Sequence, residues 1–203
     1  MPDMDFGFFG VNAGVLADPA TMVEAATTAE AAGWESIWTG EHVVVTSPQR
    51  PPSPVRPDTH FVDQVAALAH LSAHTTTLRL GTGIVILPQR NPVVLAKELA
   101  SVDVLSGGRL EAGFGVGYVP GEFDAVGVPF AQRGARMDDH IDALRAMWRG
   151  DLEFEGRFTS WHGVEAHPRP VRPDGPPIHI GGGSSATFRR AVLRGNGWYG
   201  FLT

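Results

Sequence analysis

The chain has 203 residues, of which 43% are hydrophobic and 19% charged, and this ordinary globular mixture excludes disorder over most of its length. Its 16 basic and 22 acidic residues leave a net charge of −6 without a basic cluster, which argues against a nucleic-acid-binding protein. Cysteine is absent, so the sequence excludes disulfides, thiolate metal sites and a catalytic thiol.

Neither a targeting segment nor a membrane segment is predicted. Residues 1–10 contain two aspartates and no lysine or arginine, unlike a secretory signal. The uncharged runs, such as residues 11–17, are far too short to cross a bilayer. We therefore expect a cytoplasmic protein that does not contact membranes.

Short apolar runs alternate with helical patterns along the chain. The predicted strands are residues 6–13, 36–45, 78–87, 109–116, 177–181 and 197–202. The predicted helices are residues 20–32, 61–74 and 133–149, together with one that begins at Asn91-Pro92 and ends at Gly107-Gly108 and one that follows Ser184 or Ser185 and ends at Gly195.

Capping residues mark several helix boundaries. Asp18-Pro19 and Asn91-Pro92 each combine an N-cap side chain with a proline in the first turn. Gly33 and Gly150 follow the last apolar residue of a helix and are typical C-terminal stops.

Two stretches interrupt this alternation. Residues 151–176 predict a hairpin and a proline-rich connector, which we interpret as an insertion in a single domain spanning residues 1–203. Residues 44–60 contain five of the 16 prolines directly after a predicted strand, and this composition favours a semi-rigid lid.

The alternation predicts parallel strands with helices packed outside them. Both a doubly wound sheet and a (β/α)₈ barrel satisfy it. Six strands are two short of a barrel, which usually needs about 250 residues. In either architecture the functional site lies at the C-terminal ends of the strands.

A glycine-rich loop follows the fifth predicted strand. Gly181, Gly182 and Gly183 let backbone N–H groups approach an anion, and Ser184 adds a hydroxyl at the start of a helix. The pattern favours a phosphate-binding loop, although a plain flexible connection would have the same composition.

Histidines offer a second type of candidate. Glu41 and His42 end the second predicted strand, where an imidazole can either transfer a proton or serve only as a structural loop residue. His70 and His74 have the i, i+4 spacing of metal ligands, but the helix lacks an HExxH glutamate and we predict no metal site. His140, on the fourth predicted helix, is expected at the surface.

The fourth predicted strand carries alternate glycines. Gly113, Gly115 and Gly117 are not followed at once by a helix, as a dinucleotide fingerprint would require. Alternate glycines indicate a close approach to the backbone, so we interpret the strand as one wall of a ring-binding pocket.

Residues 80–118, LGTGIVILPQRNPVVLAKELASVDVLSGGRLEAGFGVGY, strongly resemble the bacterial luciferase-like flavin-dependent oxidoreductases. The pattern AEAAGWESIWTGEH at residues 29–42 and the glycine-rich segment 181–198 extend the resemblance over nearly the whole chain except the insertion. The similarity is greatest to the branch that uses the deazaflavin coenzyme F420.

The resemblance implies a (β/α)₈ barrel, here truncated after strand 6. It implies that Glu41 and His42 lie against the coenzyme ring, that a cis Gly83-Ile84 bond backs the ring, and that residues 181–184 hold phosphate. Gly115 and Gly117 would line the ring pocket. Tyr118 stands where sugar-phosphate dehydrogenases of this branch have a catalytic glutamate, which puts that substrate in doubt.

The predicted function is therefore hydride transfer between coenzyme F420 and a small organic substrate, with His42 as the catalytic residue. The alternatives are an FMN-dependent monooxygenase and a truncated barrel that binds cofactor without turnover. Residues 44–60 and 119–130 would shape the substrate pocket. A homodimer is expected, because an open sheet edge invites a partner.

Overall fold

The computed structural model describes residues 4–200, which form a curled parallel sheet with helices on its outer face. The strands within this range are β1 (Gly7–Phe9), β2 (Ser36–Thr39), β3 (Arg79–Thr82), β4 (Val85–Ile86), β5 (Leu110–Gly115), β6 (Glu153–Glu155), β7 (Ser160–His162), β8 (Ile178–Gly181) and β9 (Gly197–Tyr199). The α-helices are α1 (Pro19–Ala31), α2 (Gln64–Ser72), α3 (Pro92–Leu105), α4 (Pro120–Ala125), α5 (Arg133–Arg149) and α6 (Ser185–Arg194). No helix in this range is both long and apolar enough to cross a bilayer.

The order of the strands decides between the two predicted architectures. The main sheet runs β1-β2-β3-β5-β8-β9, with every pairing parallel, and the short β4 also pairs with β5. Neighbours in the sheet therefore follow chain order, whereas a doubly wound sheet reverses its order at a switch point. The fold is six strands of a (β/α)₈ barrel, as the resemblance implied.

The two faces of the sheet differ in chemistry. The face toward the helices is apolar and buried, and it carries Ile37, Leu80, Leu110, Ala112, Phe114, Ile178 and Ile180. The concave face carries Trp38, Gly81 and Glu111, which are aligned across β2, β3 and β5. A Cβ on Gly81 would lie 2.2 Å from the Trp38 ring, so the indole packs flat against the β3 backbone.

Charged side chains also occupy the concave face. The buried Glu111 carboxylate accepts hydrogen bonds from Arg79 Nη1 at 2.9 Å and from the His179 ring at 2.7 Å. Arg79 also pairs with Glu35 at 3.2 Å. Because the positive charge of Arg79 offsets those of its acidic partners, the interior of the half-barrel can hold charged side chains near the N-terminal ends of the strands.

The predicted helix boundaries are largely confirmed. Asp18 and Asn91 cap α1 and α3 by accepting backbone N–H bonds, and Pro19 and Pro92 occupy the first turns. Gly150 ends α5 in the left-handed conformation, with φ of 82°. The helix predicted over residues 61–74 is shorter, because Asp63 caps it and it ends at Ser72.

The predicted strands are too long at several ends. The second strand ends at Thr39, so Glu41 and His42 lie in the loop that follows it. The third divides into β3 and β4 around Gly83-Ile84. The predicted sixth strand is present as β9, and residues 201–202 lie outside the described range. Apolar runs extend beyond strands because buried loops need apolar residues as well.

The insertion forms the predicted hairpin, β6 paired antiparallel with β7. Asp139 on α5 anchors it by accepting the backbone N–H groups of Arg157 and Phe158. The neighbouring His140 is 2% exposed, so its predicted surface position is wrong: the ring contacts the Leu87 carbonyl at 3.2 Å. Burial lowers the pKa of His140, which favours the neutral ring.

Apolar side chains are exposed along both outer strands of the sheet. Phe9 on β1 and Trp198 on β9 are each about half exposed, and Val192 and Leu193 on α6 are more exposed still. A closed barrel would cover these surfaces with two further strand–helix units. The expected homodimer stays a prediction.

The junction between α1 and the segment that leads into β3 gives a testable stability prediction. Partial burial acts to raise the pKa of Glu30, but hydrogen bonds from the backbone N–H groups of Thr77, Leu78 and Thr76 outweigh it and lower that pKa to about 2. Since the folded-state pKa lies below the usual 4.5, the stabilisation is complete above about pH 4.5 and is lost as the pH falls toward 2.

Glu30→Gln should therefore lower the free energy of unfolding by about 1–2 kcal/mol at pH 7, a value reduced for solvent screening. Urea unfolding of both proteins between pH 7 and pH 3.5 should show the difference shrinking below pH 4.5. Glu24→Gln, at an exposed position of the same helix, is the matched control. A difference independent of pH would show that the Glu30 charge contributes nothing.

Candidate functional site

The strand ends bring the predicted site residues to one edge of the sheet. Residues 41–42 follow β2, residues 83–84 follow β3, residues 115–118 end or follow β5, and residues 181–184 end or follow β8. Since these strands are parallel neighbours, all four segments open on the same mouth of the half-barrel.

The Gly83-Ile84 peptide bond is cis, which confirms that prediction. The Ile84 side chain turns toward β5 and β8, where Cβ atoms on Gly115 and Gly181 would lie 2.5 Å and 2.8 Å from it. Gly115 therefore makes room for an isoleucine of the same chain. A Cβ on Gly113 would instead lie 2.0 Å from the Thr82 carbonyl oxygen, and one on Gly117 would lie 2.6 Å from Ile86. The predicted place of these glycines in the wall of a ring pocket stays a prediction.

Tyr199, at the end of β9, covers the other side of this bond. A Cβ on Gly83 would lie 2.6 Å from the phenol oxygen, so the ring packs directly on the glycine. Trp38 lies beside it, with ring centroids 5.1 Å apart. Burial raises the pKa of Tyr199 to about 12, so the phenol stays neutral. Sequence reasoning did not single out Tyr199, because only the curvature of the sheet brings β9 toward β3.

Glu41 and His42 are adjacent in sequence, but their side chains contact different partners. The Glu41 carboxylate accepts the backbone N–H of Ile86 and hydrogen bonds from Arg90, whose Nε lies 3.1 Å away. Burial alone would lower the pKa of Arg90, but the charges of Glu41 and Asp63 raise it. Glu41 thus ties the β2 loop to the segment after the cis bond, and its predicted contact with a coenzyme stays a prediction.

His42 is held by a carboxylate that the sequence analysis missed. Its Nδ1 lies 2.5 Å from Oε1 of Glu122, a residue of α4. The imidazole ring lies edge-on to Phe61 and Tyr118, with centroid distances of 5.4 Å and 6.5 Å. Pro120 in the first turn could have indicated α4, because proline is common at that position. Nothing in the local sequence indicates that Glu122 contacts His42, which is 80 residues away.

Tyr118 lies at the edge of the mouth. Burial, together with the nearby charge of Glu122, raises the pKa of Tyr118. The phenol is therefore a neutral hydrogen-bond donor rather than an anion. Nearly half of the residue is exposed, as are Val43 and Val44 on the β2 loop, so the accessible rim is mostly apolar.

The glycine-rich loop at residues 181–184 leads directly into the N-terminus of α6. Gly182 has φ of 119°, a conformation that favours glycine, and a Cβ on Gly183 would meet no atom within 4 Å. The Ser184 hydroxyl caps α6 by accepting the Thr187 N–H at 3.2 Å. The N–H groups of Ser185 and Ala186, which lack intrahelical acceptors in the first turn, remain for solvent or a ligand.

The predicted histidine pair lies at the C-terminal end of α2, with His70 in the helix and His74 just beyond its last residue. The rings of His70 and His74 lie 4.8 Å apart, centroid to centroid. Within residues 4–200, no third histidine, aspartate or glutamate joins them as a possible metal ligand.

Known proteins match almost the whole length of this chain. A sequence model of the family described as luciferase-like monooxygenase matches residues 4–203. An uncharacterised protein of Mycobacterium tuberculosis is 33% identical over 192 residues, which are 90% of this chain and 66% of the relative. The oxygenase component of the flavin-dependent trigonelline monooxygenase of Acinetobacter baylyi is 30% identical over 176 residues, 86% of this chain and 46% of the relative. The chain thus spans two thirds or less of the length of these relatives.

Solved structures share the fold. An F420-dependent secondary alcohol dehydrogenase superimposes with a TM-score of 0.79 at 18% identity, over 97% of this chain and 57% of that one, a likeness of fold alone. A monooxygenase from Streptomyces bottropensis superimposes with a TM-score of 0.75 at 28% identity, over 93% of this chain and 56% of that one. Because the family model matches the sequence from residue 4 onward and the half-barrel matches a solved monooxygenase over nine-tenths of its length, this protein belongs to the luciferase-like monooxygenase family.

Proposed function

We propose that this protein is an oxidoreductase that transfers a hydride between a deazaflavin coenzyme of the F420 type and a small, uncharged organic substrate. One observation carries the proposal: the His42 imidazole, held by a buried carboxylate, lies at the same mouth as the glycine-rich loop that begins α6. The chain spans only part of its relatives, so the proposal concerns the whole protein of which this sequence is the matching part.

The residues at the mouth fit a phosphate-tailed ring. The amides that begin α6 can hold phosphate, together with the glycines at 181–183. Ile84 and Tyr199, which pack on either side of the cis bond, are proposed to provide the apolar surface against which a flat ring lies. When bound, the coenzyme supplies the two-electron chemistry, and the protein supplies binding, orientation and proton transfer.

His42 is suited to the proton that accompanies a hydride. Oxidation of an alcohol to a ketone sends the hydride from carbon to the oxidised coenzyme and the hydroxyl proton to a base. Nε2 of His42 is proposed as that base, and in the reverse direction as the acid. The reaction balances with the substrate, the coenzyme and one proton.

The chemistry of the rim is the reason for proposing an uncharged substrate. Val43, Val44 and Tyr118 present apolar or neutral surface, and Arg90, which could attract an anion, is already paired with Glu41 and Asp63. The loops at residues 44–60 and 119–130 are proposed to complete the pocket.

The experiment that tests the proposal is a fluorescence titration with F420 and FMN side by side. F420 should bind at least tenfold tighter, a difference of about 1.4 kcal/mol. The phosphate-free forms, the bare deazaflavin and riboflavin, are matched control ligands and should bind more weakly than their phosphorylated counterparts.

Each result has a definite meaning. Tighter binding of FMN would favour a flavin-dependent monooxygenase, the activity named for the Acinetobacter baylyi relative. Binding of F420 without turnover of any alcohol or carbonyl compound would favour a cofactor-binding barrel without catalysis.

A further inference from the structure

The contact between His42 and Glu122 assigns a specific role to a residue outside the predicted site. We propose that Glu122 is a positioning residue, which keeps a proton on Nδ1 of His42 and so presents Nε2, unprotonated, to the mouth of the half-barrel. This inference rests on the proposed function for its catalytic consequence, but its structural content can be measured without any cofactor.

The chemistry of the two side chains sets the direction of the hydrogen bond. Glu122 is 1% exposed and its Oε1 lies 2.5 Å from Nδ1. In the proposed arrangement Glu122 is an ionised carboxylate, which is an acceptor only, and the imidazole is the donor at Nδ1. A neutral imidazole carries one proton, and Nε2 is then left as an acceptor. No residue of the described range 4–200 hydrogen-bonds Nε2.

The packing of α4 fixes Glu122 in place. Phe123, the next residue, is fully buried and contacts Phe130, with ring centroids 5.2 Å apart. The chain turns into this helix at Gly117, where φ is 73° and a Cβ would lie 2.8 Å from the Phe123 ring. The Gln89 amide approaches the second carboxylate oxygen, Oε2, at 3.5 Å. Each oxygen of the Glu122 carboxylate therefore has a partner, and the buried Phe123 holds the helix that carries it.

The nearby cation does not compete for Glu122. Arg90 donates to Glu41 and to Asp63, the latter at 3.0 Å. The two acidic residues thus have separate tasks: Glu41 holds the arginine and the backbone after the cis bond, whereas Glu122 holds the imidazole.

The Glu122 carboxylate also stabilises the His42 ring when that ring carries a positive charge. When Nε2 takes the hydroxyl proton of an alcohol and the hydride leaves carbon for the coenzyme, the imidazole becomes a cation. The carboxylate of Glu122 is already in contact with it and stabilises that charge without rearrangement. In the reverse direction Nε2 returns the proton to the carbonyl oxygen.

The first test is ¹⁵N NMR of the histidine rings in the cofactor-free chain, in mildly alkaline buffer, with the His42 signals assigned by their loss in His42→Asn. The proposal requires that wild-type His42 carry its proton on Nδ1 only. A ring protonated on Nε2, either alone or together with Nδ1, would overturn it.

The second test replaces Glu122 with glutamine. In E122Q the amide can donate to Nδ1, so the proton should move toward Nε2 in the same spectra, whereas the melting temperature should change little. An unchanged tautomer would overturn the proposal. Glu165→Gln is the matched control, because Glu165 contacts His167 at 3.0 Å on the exposed surface and its loss should leave His42 unaffected.

Turnover separates this inference from the proposed function. With an alcohol substrate, kcat of E122Q should fall at least tenfold while the Kd for F420 changes less than threefold, because the base presents the wrong nitrogen. A correct tautomer without turnover in the wild type would refute the proposed function alone. Turnover with equal kcat in the wild type and E122Q would refute the positioning role alone.

Discussion

Arg90→Met is expected to lower the free energy of unfolding by about 3 kcal/mol, the largest loss of stability predicted for a surface-accessible position of this protein. Arg90 is only partly exposed, and its partner Glu41 is 4% exposed. Removing the guanidinium leaves the Glu41 carboxylate buried without its counter-charge, and a single buried charge costs far more than the intact pair contributes.

A double-mutant cycle checks the cause. In Glu41→Gln/Arg90→Met the amide oxygen can still accept the Ile86 N–H, and the unpaired charge is gone, so the double variant should be more stable than Arg90→Met alone. Arg56→Met is the matched control, since Arg56 and Asp58 form an exposed pair whose loss should cost less than about 0.5 kcal/mol. Denaturant unfolding is measured for the wild type, for Glu41→Gln, Arg90→Met and their double variant, and for the control. Equal losses in Arg90→Met and Arg56→Met would contradict the argument from burial.

His42→Asn is expected to lower kcat by about 10²–10⁴-fold for the proposed alcohol oxidation, the largest effect on activity. The asparagine amide retains a donor near the position of Nδ1, so Glu122 keeps a partner, but nothing replaces Nε2. The Kd for F420 should change by less than about tenfold, because the phosphate contacts proposed at residues 181–184 do not involve this side chain.

The matched control is His162→Asn, in the β6–β7 hairpin, where an exposed histidine contacts Glu155 at 2.7 Å. Steady-state kinetics and coenzyme titration of both variants give the comparison. If His42→Asn retains the wild-type kcat, His42 is not the proton-transfer group and the base must be sought elsewhere at the mouth.

Local chemistry accounts for the features of the fold that were predictable. Asp18-Pro19, Asn91-Pro92 and Ser184 act within one turn of the helices that they begin, and Gly150 acts at the end of another. Such residues pair with, or terminate, backbone hydrogen bonds a few positions away in the chain, so both partners of the interaction lie in one short stretch of sequence. The cis bond at Gly83-Ile84 was predicted through family resemblance, which is a different source of information.

Features that depend on curvature and distance were not predictable in the same way. The alternate glycines indicated a close approach, but not that Ile84 would be the group that approaches Gly115. His140 has polar neighbours in sequence and is nevertheless buried, because α5 packs that face against the segment containing Leu87. In both places the contacting residue, Ile84 or Leu87, comes from a different part of the fold, so no local pattern identifies it.

The alternation of strands and helices and most helix boundaries could be predicted from the sequence, because each depends on residues within a few positions of one another. The carboxylate that contacts His42 could not be predicted in this way. Glu41 is adjacent in sequence but faces Arg90, and Glu122 is 80 residues away but faces the imidazole. Neighbours in an extended chain point in different directions, whereas the curled sheet and the packing of α4 bring distant side chains to one point.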